Sequence, residues 1–115
     1  MSDARTLLGE LVAARDARSP ERVAHLLRDD IRYWDCEHGE LKGREAVAAS
    51  LTAADRRVAL ETIAVAGTAA VLELQLEAPA GRYRSTEVYE LAADGVASIK
   101  AYFDPQAGTN SSPQC

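Results

Sequence analysis

The chain has 115 residues, which is a typical length for one domain with one hydrophobic core. Its 18 acidic and 13 basic side chains give a net charge of −5, which disfavours binding to nucleic acid or to anionic membranes. Apolar residues make up 47% of the chain, too many for a disordered protein, and no apolar run approaches the roughly 20 residues of a membrane span.

The first half of the chain predicts three helices. An apolar stripe predicts the first over residues 3–17. The string Ser19-Pro20-Glu21 starts the second, because it supplies an N-cap, a proline at the first helical position and an acid near the positive end of the dipole. Asp29-Asp30 ends that helix, since acids are unfavourable at a helix C-terminus. The third helix runs from about Arg44 to Ala54.

Alternating apolar and polar residues predict five strands, one between the second and third helices and four after the third helix. In chain order they cover residues 31–35, 57–65, 69–78, 82–92 and 96–103. The clearest alternation places Leu72, Leu74 and Leu76 on one side of a strand and polar residues on the other. Residues 36–43, which include two glycines, are expected to form a loop.

The order of these elements predicts an α+β domain. Strands joined by short turns pair antiparallel, and the helices then pack together on one face of the sheet. We expect one domain over residues 1–105, followed by a small polar tail, residues 106–115, that is disordered. The N-terminus lacks the pattern of a signal peptide, so a cytoplasmic protein is expected.

A carboxyl group on the fourth predicted strand is expected inside the protein. If Tyr89 and Leu91 point to the core, so do Ser85 and Glu87. A buried carboxyl is costly unless it is protonated or hydrogen-bonded, and groups with a shifted pKa cluster at functional sites. Two plainer interpretations stay open: Glu87 lies on the surface, or it is a structural acid bonded to Ser85 or Tyr33.

The first predicted strand ends in a second candidate acid. With Ile31 and Tyr33 inward, Asp35 also faces inward and lies next to the loop that holds His38. An aspartate at the end of a strand can also simply bond the turn that follows it. Asp104, at the end of the last strand, is either a strand-ending acid or an acid on the rim of a pocket.

Several other chemistries lack the residues that they need. The sequence has no glycine-rich phosphate loop and no Gly-x-Ser-x-Gly nucleophile motif. Two histidines and two cysteines at unrelated spacings predict no metal site, and no cofactor is implied. Cys36 and Cys115 lie far apart in the sequence and are expected to be free thiols, with a disulfide as the less favoured alternative.

The chain resembles the nuclear transport factor 2-like superfamily in two strings, LLRDDIRYWDCEHGELKGREAVAASL and, later, YELAADGVASIKAYFDP. Within it, the chain is similar to the SnoaL-like polyketide cyclase, ketosteroid isomerase and limonene epoxide hydrolase branches. The resemblance covers about residues 4–104. It implies a cystatin-like roll, in which a cone-shaped, curved, mixed but mostly antiparallel sheet wraps three N-terminal helices and leaves an apolar pocket at its mouth.

The resemblance also assigns roles to the two candidate acids. Asp35 falls where ketosteroid isomerases hold their general base, and Glu87 falls where they hold a protonated acid that donates to the enolate oxygen. Leu11 falls where those isomerases have their oxyanion tyrosine. This departure argues against a steroid isomerase unless Tyr33 or Tyr89 takes the place of that tyrosine.

The chain matches the other two branches less well. Epoxide hydrolases of this superfamily use an Asp-Arg-Asp set, whose positions fall near Leu74, Leu76 and Ala101, so that activity is rejected. The cyclases commonly use an acid near the end of the sheet and a nearby histidine, for which Asp104 and His38 are loose candidates.

We therefore expect a cofactor-independent isomerase or aldol-type cyclase that acts on a small, fairly apolar carbonyl compound. Asp35 would abstract a proton α to the carbonyl, and a neutral Glu87 would hydrogen-bond the enolate. This hypothesis predicts that Glu87→Gln preserves folding and ligand binding, whereas Asp35→Asn abolishes turnover. The residues expected to contact the substrate are Leu11, Tyr33, His38, Leu72, Leu74, Leu76, Ser85, Tyr89, Ile99, Ala101 and Phe103.

Two alternatives need no catalysis. The domain binds a lipid-like ligand or pairs with a second copy through the outer face of its sheet, or it is a scaffold whose side chains fill the cavity. A homodimer through the outer face is expected from the resemblance. That face carries Glu73, Gln75, Arg84, Thr86, Lys100 and Tyr102. Neither nucleic acid nor a membrane is expected as a partner.

Overall fold

The computed structural model describes residues 3–53, 56–79 and 81–105. For Asp104 and Pro105 it describes the backbone only. In these residues the elements are α1 (Ala4–Asp16), α2 (Pro20–His25), β1 (Leu27–Asp35), β2 (Gly39–Lys42), α3 (Arg44–Leu51), β3 (Arg57–Ala66), β4 (Ala69–Ala78), β5 (Gly81–Ala92) and β6 (Gly95–Pro105). The predicted tail and Cys115 lie outside the described residues. None of the described helices is long and apolar enough to cross a membrane.

The strands form one curved sheet in the order β2-β1-β6-β5-β4-β3. Strands β3 to β6 follow one another across short turns and pair antiparallel, as predicted. β1 instead lies parallel to β6, since α3 and four strands separate the two along the chain and provide the long connection that parallel pairing needs. The predicted α+β class and the mixed, mostly antiparallel sheet are confirmed.

The segment predicted as a loop, residues 36–43, contains the edge strand β2. It pairs antiparallel with the end of β1, so that Tyr33 is in register with Leu41 and Asp35 with Gly39. Gly39 has φ +82, which glycine adopts without strain, and this lets the chain reverse shortly after Asp35. The loop prediction is wrong because a polar strand of four residues has little periodic signal of its own and depends on β1 for its hydrogen bonds.

Helix α2 begins where the sequence predicts but ends earlier. The Ser19 hydroxyl oxygen caps it by accepting a hydrogen bond from the backbone of the first turn at 3.3 Å. The helix ends at His25, since the oxygen of Leu26 accepts a hydrogen bond from Val96 N at 3.0 Å and this bond joins the chain to β6. Asp29-Asp30 therefore lie within β1, which is longer than predicted.

The alternation predicted for the last three strands is confirmed by burial. The inner face of the sheet buries Leu72, Leu74, Leu76, Ser85, Glu87, Tyr89, Ile99 and Ala101. Two polar side chains of β5, those of Ser85 and Glu87, thus lie among core residues. The alternative that Glu87 lies on the surface is wrong, because its neighbours along the strand fix the phase that turns it inward.

Cys36 follows Asp35 directly after β1 and is disulfide-bonded, so the expectation that it carries a free thiol is wrong. Its backbone N–H donates to the oxygen of Ala101 at 3.2 Å. The expectation of a free thiol rests on the separation of the two cysteines in the sequence. That separation does not predict distance in the fold, because the parallel pairing of β1 with β6 brings Cys36 next to the end of the last described strand.

Candidate active site

A cavity of about 350 Å³ opens between the helices and the inner face of the sheet. Its wall is formed by Arg15, Tyr33, Asp35, Glu37, His38, Ser50, Leu51, Ala53, Arg56, Leu76, Tyr83, Glu87 and Phe103. The two candidate acids meet there because Asp35 of β1 and Glu87 of β5 are both in register with Ala101 of β6, which lies between them. Two strand spacings, roughly 10 Å, separate their Cα atoms. The small Ala101 side chain leaves room between them.

Glu87 is held by three side chains in the core. Its Oε1 accepts hydrogen bonds from Arg15 Nη1 at 2.7 Å and from the Tyr89 hydroxyl at 2.7 Å. Its Oε2 accepts hydrogen bonds from the Ser85 hydroxyl at 2.9 Å and from Arg15 Nη2 at 3.3 Å. Arg15 and Glu87 are 2% and 1% exposed, so the two form a buried salt bridge in which both carboxylate oxygens are bonded.

The guanidinium of Arg15 decides the charge of Glu87. Burial alone would raise the pKa of Glu87, but the charge of Arg15 and the hydrogen bonds from Arg15, Tyr89 and Ser85 lower it below its ordinary value. The carboxyl group is therefore ionised at neutral pH. The expectation of a neutral Glu87 that donates to an enolate is wrong, because an ionised carboxylate only accepts hydrogen bonds. The interpretation of Glu87 as an acid bonded to Ser85 is confirmed.

Arg15 was not predicted as a site residue, although the sequence carries a signal for it. It continues the buried stripe of α1 formed by Leu8, Leu11 and Val12, at the spacing i, i+3, i+4, i+7. A charged side chain in register with an apolar stripe needs a buried partner of opposite charge. That requirement would have paired Arg15 with an inward-facing acid such as Glu87.

Asp35 is fixed by several donors at the end of β1. Its Oδ1 accepts hydrogen bonds from the backbone N–H groups of His38 at 2.5 Å and Glu37 at 2.9 Å, and its Oδ2 accepts one from the Tyr33 hydroxyl at 2.9 Å. Burial would raise the pKa of Asp35, but these hydrogen bonds lower it below its ordinary value. Asp35 thus bonds the turn that follows it, and its carboxylate, only 4% exposed, also lines the cavity.

Tyr33 and His38 approach Asp35 from two sides. Burial and the charges of Glu87 and Asp35 raise the pKa of Tyr33, so its hydroxyl keeps its proton. His38 lies on the outer rim, 71% exposed, with Nδ1 3.4 Å from an Asp35 oxygen and Nε2 3.0 Å from Glu37 Oε1. Asp35 therefore has a hydroxyl donor on its inner side and an imidazole on its outer side.

The predicted contact residues divide into two groups. Tyr33, His38, Leu76 and Phe103 line the cavity. The other seven lie behind its wall, buried in the core: Leu11, Leu72, Leu74, Ser85, Tyr89, Ile99 and Ala101. This corrects their expected place on the wall, since most of the inner sheet face packs into the core with the helices and only part of it is open. The side chain of Asp104 lies outside the described residues.

Two guanidinium groups on the wall each keep a donor without a partner. Nε of Arg15 and Nε of Arg56 are buried and have no acceptor within the described part of the chain. Buried donors are normally paired, so two such donors in guanidinium groups on one cavity wall mark a place where an anionic ligand would be favourable. Among the residues that the structure describes, no group of three or more His, Cys, Asp or Glu side chains could hold a metal ion.

Comparison with protein families gives this fold a name. A profile of SnoaL-like domains matches residues 8–99. The chain belongs to the SnoaL-like domain family. The resemblance to nuclear transport factor 2-like and ketosteroid isomerase-like proteins is confirmed at the level of the fold. A comparison with curated proteins finds no match.

Solved structures share the fold of this SnoaL-like domain. An NTF2-like protein of unknown function from Cytophaga hutchinsonii has a TM-score of 0.82 at 16% identity, over 91% of this chain and 93% of that one. A protein with a ketosteroid isomerase-like fold from Catenulispora acidiphila, solved in complex with trimethylamine, has a TM-score of 0.74 at 18% identity, over 85% of each chain. A de novo designed protein with a curved β-sheet has a TM-score of 0.77 at 24% identity, over 91% of this chain and 89% of that one. At these identities the likeness shows the fold alone, and one fold hosts many functions.

Proposed function

We propose that this SnoaL-like domain is a cofactor-independent enzyme that removes a proton α to a carbonyl group from a small, fairly apolar compound. The observation that carries the proposal is Asp35, an ionised carboxylate on the wall of a cavity that also holds a buried guanidinium. Apolar side chains of Leu51, Leu76 and Phe103 supply the contact surface for the body of the substrate.

Asp35 is the proposed general base. Its two oxygens are held in place by the donors of the turn and by the Tyr33 hydroxyl, which fixes the direction of Oδ2. A carboxylate with a lowered pKa is a weak base, so proton abstraction from carbon needs strong stabilisation of the enolate that forms.

Arg15 is the proposed source of that stabilisation. Its Nε–H is buried, lacks an acceptor within the described residues and belongs to a group on the cavity wall. A fixed cationic donor in a site shielded from water stabilises a developing oxyanion far more than the same donor in water. Glu87 is then a positioning residue, because it holds the two Nη atoms of Arg15 and thereby fixes the guanidinium group on the cavity wall.

The proposed chemistry is balanced without an added reactant. The α-proton moves to an Asp35 oxygen, and the electron pair of the C–H bond becomes the enolate. Where the substrate has a C=C bond β,γ to the carbonyl, the enolate is conjugated with that bond, and Asp35 returns the proton to Cγ as the double bond moves to the α,β position, which is an isomerisation. In the other outcome the enolate carbon attacks a second carbonyl of the same molecule, and the new alkoxide takes the proton back, which is an aldol closure.

Hydrogen–deuterium exchange tests the proposal without knowledge of the natural substrate. The protein is added in D₂O to 4-phenylbutan-2-one or to 4-oxo-4-phenylbutanoate, and loss of the α-proton signals is followed by NMR. We expect exchange faster than in buffer alone, and a decrease of about 100-fold or more in Asp35→Asn. Glu40→Gln is the matched control, because it removes an acid that pairs with Arg32 on the exposed side of the sheet.

Two results would contradict the proposal. One is an exchange rate equal to the buffer rate for both ketones, and the other is an unchanged rate in a folded Asp35→Asn variant. Ketone binding without any exchange would favour the alternative of a non-catalytic binding domain.

The homodimer through the outer sheet face stays a prediction. Tyr102 of β6 is 44% exposed on that face, and its ring packs against Trp34 of β1 at a centroid distance of 5.4 Å. Val71 of β4 is 40% exposed on the same face of the sheet. We propose that a second copy of the chain covers this face.

A further inference from the structure

Arg56 is fixed at one end of the cavity by two neutral acceptors. It lies between α3 and β3, where its Nη2 donates to the oxygen of Ser50 at 2.7 Å and its Nη1 donates to the Tyr83 hydroxyl at 3.2 Å. Both contacts orient the guanidinium plane. Ser50 and Tyr83 line the cavity together with Arg56, so the group is held on its wall.

The charge of Arg56 is not balanced as that of Arg15 is. Arg15 has Glu87 as its counter-charge, whereas no carboxylate of the described residues forms an ion pair with Arg56. The buried Nε of Arg56 also lacks an acceptor in that part of the chain. A cation on the cavity wall that has no carboxylate partner among the described residues suits a ligand with a negatively charged oxygen.

The strand register separates this cation from the proposed reaction centre. Tyr83 precedes Glu87 by four residues on β5, which corresponds to roughly 13 Å between their Cα atoms. The cavity therefore has two chemically different ends. Asp35 and Arg15 form one end with Glu87, and Arg56 forms the other. The apolar side chains of Leu51, Leu76 and Phe103 also line the cavity.

We infer that the cavity is specific for a carboxylate-bearing carbonyl compound, an oxo acid with an apolar middle, whose carboxylate binds Arg56. The inference deepens the proposed function and rests on it for the carbonyl end, but the carboxylate contact with Arg56 is a separate property. Asp35 and Glu37 repel an anion, so the carboxylate has to bind at the Arg56 end, which fixes the direction of the ligand.

Binding of three inert probes tests the inference independently of turnover. The probes are 3-phenylpropanoate, 3-phenylpropanamide and 3-phenylpropylamine, which share one body and differ in the charge of the head group. None carries a ketone, so their affinities, measured by NMR titration, do not depend on Asp35 acting as a base. We expect the carboxylate to bind roughly tenfold tighter than the amide, and the amine to bind most weakly.

Substitution of Arg56 separates recognition from a structural role. In Arg56→Met the affinity for the carboxylate is expected to fall roughly tenfold, while the affinity for the amide stays within about threefold. Arg57→Met is the matched control, because it removes the same charge one residue away, where Arg57 pairs with Asp16 outside the cavity. Arg56→Lys, which keeps the charge and loses the planar fork, is expected to retain part of the preference.

Each contrary outcome overturns the inference. These are equal wild-type affinities for carboxylate and amide, tightest binding of the amine, no binding of any probe at millimolar concentration, and an equal loss in Arg57→Met. If Arg56→Met fails to fold, the affinities of the wild type for the three probes and the carboxylate preference of Arg56→Lys still test the inference. A carboxylate preference in a protein that catalyses no exchange would refute the proposed function and leave this inference standing. Catalysed exchange in a protein that does not prefer the carboxylate would refute this inference and leave the proposed function standing.

Discussion

The buried pair of Arg15 and Glu87 makes a quantitative prediction for Glu87→Gln. The substitution keeps the shape of the side chain and one oxygen, which can accept a hydrogen bond from either Ser85 or Tyr89, while the new NH2 group faces the other hydroxyl. It removes the only carboxylate bonded to Arg15 within the described residues, and Arg15 is 2% exposed. Breaking one side of a buried ion pair costs about 3–5 kcal/mol, because the remaining charge is left without compensation.

This cost is a large part of the stability of a small domain, whose free energy of unfolding is about 5–15 kcal/mol. The assay is urea unfolding at neutral pH, followed by the fluorescence of Trp34, the only tryptophan of the chain. In thermal unfolding the same loss corresponds to a decrease in the midpoint of about 10–20 °C. The hypothesis of a neutral Glu87 predicts preserved folding for the same variant, so the experiment separates the two charge states.

The double variant Arg15→Met/Glu87→Gln is the control. It removes the stranded charge, and it is expected to recover most of the stability lost in Glu87→Gln. A Glu87→Gln variant within about 1 kcal/mol of the wild type would refute the reasoning. Equally damaging would be a double variant whose loss is the sum of the two single losses, since independent effects are additive.

Three further predictions follow from the described contacts. Tyr33→Phe removes a donor to Asp35 Oδ2 and is expected to raise the pKa of Asp35, measured by NMR titration of its carboxyl carbon. The pKa of Asp16 is lowered to about 2 by hydrogen bonds from Arg57 and from the backbone of Val58. Its contribution to stability is therefore present above the ordinary carboxyl pKa and is lost as the pH falls from about 4 to 2, so urea unfolding of Asp16→Asn should depend less on pH in that range. Gly95→Ala is expected to lower the free energy of unfolding by about 1–3 kcal/mol, because Gly95 has φ +142 and an added Cβ would lie 2.8 Å from the backbone oxygen of Leu26.

Each of these predictions has its own contradiction. An unchanged or lower pKa of Asp35 in Tyr33→Phe would remove the hydroxyl as its donor, and an Asp16→Asn variant with the full acid dependence would assign that dependence elsewhere. For the glycine, the matched control is Gly9→Ala on α1, where an added Cβ meets open space and is expected to stabilise by about 0.5–1 kcal/mol. Equal effects of the two glycine substitutions would show that the close approach at Leu26 does not matter.

The sheet could be predicted from the sequence wherever burial on one face imposes alternation. Leu72, Leu74 and Leu76 show the pattern most clearly, and the same reasoning on β5 correctly turns Glu87 inward. Strand β2 could not be predicted, since its polar residues form a strand only by pairing with β1. The bounds of a short edge strand depend on a distant partner rather than on local preference.

The sequence predicts which residues of the candidate site face inward, but it does not predict which of them are ionised. Asp35 and Glu87 were placed inward by alternation alone, but the charge of Glu87 depends on Arg15, which lies 72 residues away in sequence. The place of Arg56 depends on the oxygens of Ser50 and Tyr83, which the fold brings together from α3 and β5. Local patterns determine which face a residue takes, whereas its pKa depends on neighbours that only the complete fold supplies.

The pH dependence of α-proton exchange tests the central claim, that Asp35 is the base, most directly. Because the pKa of Asp35 is lowered, its carboxylate is fully formed above about pH 5, and the protein-catalysed rate, corrected for buffer, is expected to stay constant from about pH 5 to pH 8. The rate should fall only in more acidic solution and should be abolished in Asp35→Asn. A rate that rises between about pH 6 and 7.5 and persists in Asp35→Asn would assign the base to an imidazole and contradict the account.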